Sequence, residues 1–100
     1  MNIQNKDART VIVTNLPEVT AGNATQVCKQ IHTALPSACT LLEIDLSTTT
    51  FLDSSGLGTL IFLNKTLRSR NGCVRLLKPV PNIRHLLELT QLHRIFEIVS

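Results

Sequence analysis

The sequence predicts an α/β fold: a four- to five-stranded, mostly parallel sheet flanked by helices, in the order β-α-β-α-β-α-β. Three observations carry this expectation. Short apolar or β-branched runs alternate with stretches whose apolar residues recur at helical spacing. Helix breakers fall between them, at Pro36, Asn71-Gly72 and Pro79. The run "TLLEIDL" (40–46) carries apolar residues on both faces, which suits a central strand covered on both sides.

The elements follow in order. "TVIVTNL" (10–16) is β-branched and short, so it reads as a strand, and "PEVTAGN" then turns. Ala24, Val27, Cys28, Ile31 and Leu35 mark the first helix, which Pro36 closes. After the strand 40–46, a second helix begins within residues 53–56, presents Leu57, Leu60, Ile61 and Leu67, and runs to about Arg70. Asn71-Gly72 is a left-handed stop for it. "CVRLL" (73–77) is a strand. Pro79 and Pro81 introduce a third helix through Ile83, Leu86, Leu87 and Thr90, and "IFEIV" (95–99) is a last strand. Residues 1–8 are either flexible or a short edge strand. Leu57, Leu60, Ile61, Leu42, Ile44, Leu86 and Leu87 are the predicted core. With no repeat or linker, residues 1–100 form one domain, long enough to build a core without metal or disulfide support.

Composition narrows the function classes. Hydrophobic residues make up 43% and charged residues 17%, as in a globular chain. Trp and Tyr are absent and Phe occurs three times, which argues against a platform that stacks nucleic-acid bases. Cys28, Cys39 and Cys73 are odd in number and show no C-x-x-C spacing, so they read as thiols in a reducing cytoplasm. His32, His85 and His93 are too scattered for a sequence-local zinc site, and no metal is expected. No apolar run approaches the roughly 18 residues of a membrane span, so the expectation is a soluble cytoplasmic protein. The net charge of +3 is uneven. Residues 54–87 hold six basic side chains and no acidic one, while the rest of the chain holds four basic and seven acidic. That stretch is either a solvated helix face or a contact for an acidic partner or nucleic acid. No DNA-binding motif supports the nucleic-acid option.

The chemistry concentrates in "LDSSGLG" (52–58), between a strand and a helix. As a nucleotide loop it fails, because Ile61 stands where a third glycine belongs and no Lys follows. As a hydrolase elbow it fails, because Asp53 replaces the first glycine of G-x-S-x-G. A helix cap explains Asp53 or Ser54. It leaves the second serine and the second glycine without a reason. A phosphorylation switch explains them. A serine in the first helical turn sits among unpaired amides at the positive end of the helix dipole, and small neighbours leave its hydroxyl open.

"IDLSTTTFLDSSGLGTLIFL" followed by "PNIRHLLELTQLHRIFEIV" resembles a STAS domain of the stand-alone anti-sigma-factor antagonist type, from about Val11 onward. The resemblance implies a partner-switching protein without catalysis or cofactor. Unphosphorylated, such a protein binds an anti-sigma factor that is also a serine kinase, and frees the sigma factor. Phosphorylation of the turn serine releases it, and a phosphatase resets it. The acceptor maps onto Ser55, with Ser54 as the alternative. Asp53, Ser54, Ser55, Gly56, Leu57 and Gly58, with Glu18 and Thr20 of the loop 15–23, form the implied contact. Pro17 and Thr20 stand where many antagonists carry a Gly and an acidic residue. A monomer or weak dimer is expected. A STAS-type cytoplasmic subunit of a membrane transport complex is the alternative.

Overall fold

A computed structural model describes all residues 1–100. The strands are β1 (Asn2–Asn5), β2 (Thr10–Thr14), β3 (Glu18–Val19), β4 (Leu41–Asp45), β5 (Phe51–Leu52), β6 (Cys73–Leu77) and β7 (Glu97–Val99). The helices are α1 (Ala24–Ala34), α2 (Ser54–Arg68) and α3 (Pro81–Leu89), with a 3-10 turn at Leu92–Arg94. The main sheet has the order β1-β2-β4-β6-β7. β1 is antiparallel to β2, and β2, β4, β6 and β7 run parallel. The α/β expectation holds, and the first residues form the edge strand.

The strand order advances in one direction. Crossovers of a single hand then place every helix on the same face of the sheet. The buried residues of all three helices accordingly join one cluster with Val11, Val13, Leu42, Ile44, Val74 and Leu76. The alternate side chains of the same strands, Ile12, Leu41, Cys73 and Leu77, are half-buried and outside that cluster. This corrects the expectation of a strand covered on both sides. β4 is central, but helices pack only one of its faces; on the other, Glu43 alone is buried, beneath Lys6 and Arg75.

Three further expectations are corrected. Residues 15–23 are not only a turn, because Glu18–Val19 pairs with Phe51–Leu52 in a second small parallel sheet. The last strand starts at Glu97, since Gln91 adopts a left-handed φ of 64° and Leu92–Arg94 forms the 3-10 turn. On α2 the buried stripe is Gly56, Leu60, Leu63 and Leu67, flanked by Thr59 and Asn64. Leu57 and Ile61 lie on its flank and are half-buried, as is Leu86 of α3. The stripe sits one position around the helix from the one expected, because Gly56 packs against Val19 and Leu52 of the small β3–β5 sheet. Leu60, Leu42, Ile44 and Leu87 are buried as expected.

α2 ends as the Asn71-Gly72 pair predicts. Asn71 takes φ 61°, and the amides of Gly72 and Asn71 donate to the carbonyls of Leu67 (2.8 Å) and Arg68 (3.1 Å). A Cβ on Gly72 would lie 2.1 Å from the Thr40 carbonyl oxygen, so glycine is also needed for the approach to β4.

Candidate functional site

The site begins with how the turn 47–53 is held. Thr49 is fully buried and its hydroxyl donates to the Leu16 carbonyl at 2.5 Å, while the Thr50 amide donates to the Pro17 carbonyl at 2.9 Å. These bonds fasten the turn to the loop after β2. The β3–β5 ladder continues the seam up to Asp53.

Asp53 is the N-cap of α2. Its Oδ1 accepts from the Gly56 amide at 3.0 Å, and its Oδ2 accepts from the Ala21 amide at 2.9 Å. One carboxylate therefore caps the helix and pins the loop 17–23 beside it. The Gly56 amide first, and the Ala21 amide second, hold the Asp53 carboxyl below its ordinary range. Within the loop, the Thr20 amide donates to Asn23 Oδ1 at 2.8 Å and Asn23 Nδ2 donates to the Glu18 carbonyl at 3.0 Å. Gly56 completes the junction. A Cβ there would lie 2.2 Å from the Val19 carbonyl oxygen. Its freedom is used for close approach, since its φ is not positive. At Gly58 a Cβ would meet nothing within 4 Å, so that glycine faces open space.

Ser54 and Ser55 are the first two residues of α2. Ser54 is exposed and Ser55 half-buried, and neither hydroxyl makes a hydrogen bond within the chain. Ser55 lines a groove of about 490 Å³ between α1 and α2. Gly58, Thr59 and Phe62 continue its α2 wall, and Thr25, Cys28, Lys29 and His32 form the α1 wall. Phe62 is 49% exposed and its ring centroid lies 5.8 Å from that of His32. Burial raises the Cys28 thiol above its ordinary value.

Of the predicted contact residues, Ser54, Ser55, Gly58, Thr20 and Glu18 reach the surface at this end, and Asp53 is half-buried beneath them. Gly56 is buried and Leu57 packs on the core's edge, so these two shape the surface from below. The α1 wall and Phe62 were not foreseen. A signal for Phe62 exists, because Ser55, Thr59 and Phe62 are spaced i, i+4, i+7 and so share one helix face.

The family model of the STAS domain matches residues 2–100. The chain belongs to the STAS domain family. Among solved structures, this STAS domain is similar to a candidate anti-sigma factor antagonist of Thermotoga maritima, with a TM-score of 0.90 at 24% identity, covering 99% of this chain and 85% of that one. It is similar to an anti-sigma factor antagonist of Mycobacterium paratuberculosis, with a TM-score of 0.80 at 25% identity, covering 99% and 83%. It is also similar to the anti-sigma factor antagonist SpoIIAA. The unphosphorylated form gives a TM-score of 0.84 at 23% identity, covering 99% and 87%. The phosphorylated Bacillus form gives 0.76 at 23% identity, covering 99% and 90%. A comparison with curated protein sequences gives no match. No helix of this STAS domain is long and apolar enough to cross a membrane.

Proposed function

We propose that this STAS domain is an anti-sigma factor antagonist of the cytoplasm, switched by phosphorylation at Ser55. The observation that carries the reading is the placement of Ser55. Its hydroxyl is free, sits in the first turn of α2 and borders the groove between α1 and α2. The Asp53 bridge and the Gly56 contact make the platform beneath it rigid. Family membership and the antagonists among similar structures support the same reading.

In this reading the neutral surface around Ser54, Ser55 and Gly58 binds an anti-sigma factor that is also a serine kinase, with Glu18 and Thr20 at its margin. Phosphate on Ser55 adds about −1.5 to −2 charges at that contact. Asp53 already occupies the Gly56 amide, so the phosphate gains no cap bond there and projects toward the partner. A charge buried in an interface without a counter-charge costs several kcal/mol, and each 1.4 kcal/mol is tenfold in affinity. The partner lets go while the fold is unchanged. A serine phosphatase restores the neutral surface.

The test uses an anti-sigma factor serine kinase that binds the unmodified protein, with phosphopeptide mapping and binding titration. Ser55→Ala is expected to fold, bind and resist phosphorylation. Ser55→Asp is expected to fold and bind at least tenfold more weakly. Label on Ser54 alone moves the acceptor by one residue. Absence of label on both, with unimpaired binding by Ser55→Asp, overturns the switch and favours a docking subunit of a membrane transport complex.

A further inference from the structure

The sheet face turned away from the helices carries a row of alternating charge. In register across the strands stand Ile12 of β2, Glu43 of β4, Arg75 of β6 and Glu97 of β7. Lys6, from the β1–β2 turn, reaches over this row and donates to Glu43 Oε1 at 2.7 Å. Arg75 Nη1 donates to Glu43 Oε2 at 3.0 Å. Arg75 Nε lies 3.2 Å from Glu97 Oε1, too poorly aligned for a hydrogen bond. The order across the sheet is therefore plus, minus, plus, minus. Half-buried side chains flank it, Leu41 and Cys73 on one side, and Leu77 with the carboxylate of Asp45 on the other. No element of this chain covers them.

We propose that this open face is a homodimer interface, formed by a two-fold axis parallel to the strands and between β4 and β6. The symmetry decides it. Such an axis reverses the strand order of the facing sheet and keeps its rows in register. The alternating row then meets its own reverse: Lys6 faces the second copy's Glu97, and Arg75 lies over its Glu43, which is buried beneath that copy's own Lys6 and Arg75. Leu41 meets Cys73 in the adjoining row. An in-plane axis perpendicular to the strands does the opposite, setting Glu43 on Glu43 and Arg75 on Arg75, which is repulsive. The row itself sums to zero charge, and Asp45, which accepts from the Ser47 amide at the end of β4, is the one further charge on this face. Two-layer sheet packing of this kind is about 10 Å thick. The four strands that overlap about this axis measure roughly 19 by 17 Å, less than a stable specific interface buries, so the dimer is weak and concentration-dependent. The groove beside Ser55 lies on the helix side, so dimerisation leaves both switch surfaces free.

The test is a charge swap at the two exposed ends of the row, where side-chain exposure is 50% for Lys6 and 52% for Glu97. Sedimentation equilibrium of the wild type is expected to show reversible dimerisation as concentration rises. Lys6→Glu opposes Glu97 with a second acid, and Glu97→Lys opposes Lys6 with a second base, so each variant alone is expected to dimerise at least tenfold more weakly. Mixed in equal amounts they are expected to form a heterodimer, because both end contacts are then of opposite sign. Circular dichroism matching the wild type verifies folding. A wild type that stays monomeric at the highest soluble concentration overturns the proposal. So does a dimer that both variants form as well as the wild type, or a mixture that fails to associate.

Discussion

Gly56 and Val19 meet backbone to backbone: a single methyl group on Gly56 would lie 2.2 Å from the Val19 carbonyl oxygen. That contact sets how close the start of α2 comes to the loop before α1, and so the height of the serine pair above both. The two glycines of the turn have opposite roles, and substitution separates them. Gly56→Ala is expected to destabilise by about 1–3 kcal/mol, since backbone and not a flexible side chain must give way. Gly58→Ala is expected to stabilise by about 0.5–1 kcal/mol, since it adds a helix former in open space. Denaturant unfolding checks both, and a loss at Gly58 equal to that at Gly56 contradicts the assignment.

The buried stripe of α2 gives a second contrast. Leu60 is 2% exposed and joins the core, whereas Leu57 is half-buried at its edge. Leu60→Ala is expected to cost about 2–5 kcal/mol. Leu57→Ala is expected to cost less than half of that. Equal losses show that the stripe is centred between them.

Acid sensitivity follows from two carboxylates. Burial opposes ionisation of Glu43, but its bonds with Lys6 and Arg75 outweigh burial and hold it below its ordinary value of 4.5. Backbone amides hold Asp53 below 3.8. Both folded values are depressed, so the stability they contribute is fully present above the unfolded values. It is lost as pH falls from about 4.5 through the folded-state values. The doubly substituted Glu43→Gln, Asp53→Asn protein is expected to lose stability less steeply below that pH than the wild type. Unfolding midpoints measured from pH 6 down to about 3 check the slope, and an unchanged slope removes both groups from the account.

Phe62 tests whether the groove belongs to the contact surface. Its ring is exposed, so Phe62→Ala is expected to change stability by no more than about 0.5 kcal/mol. Loss of an aromatic anchor at an interface is expected to weaken anti-sigma factor binding at least tenfold, about 1.4 kcal/mol. Unchanged affinity confines the contact to the turn itself.

Much of this was legible in the chain, wherever the information is local. Helical spacing and prolines place the three helices. Asp53 before a helix announces a cap, and Asn71-Gly72 announces a stop, because both act within one turn of their own backbone. The serine pair at the start of α2 is likewise a local fact, as is the motif by which the family is recognised. What the sequence left open depends on residues far apart in it. The second carboxylate bond of Asp53 goes to Ala21, and the space that excludes a side chain at Gly56 is filled by Val19. No pattern within α2 reveals either. The groove exists only because α1 and α2 lie side by side. The apolar residues on both faces of β4 read as two buried faces. Only the one-way order of the strands, which stacks every helix on one side, left the other face open with its row of alternating charge.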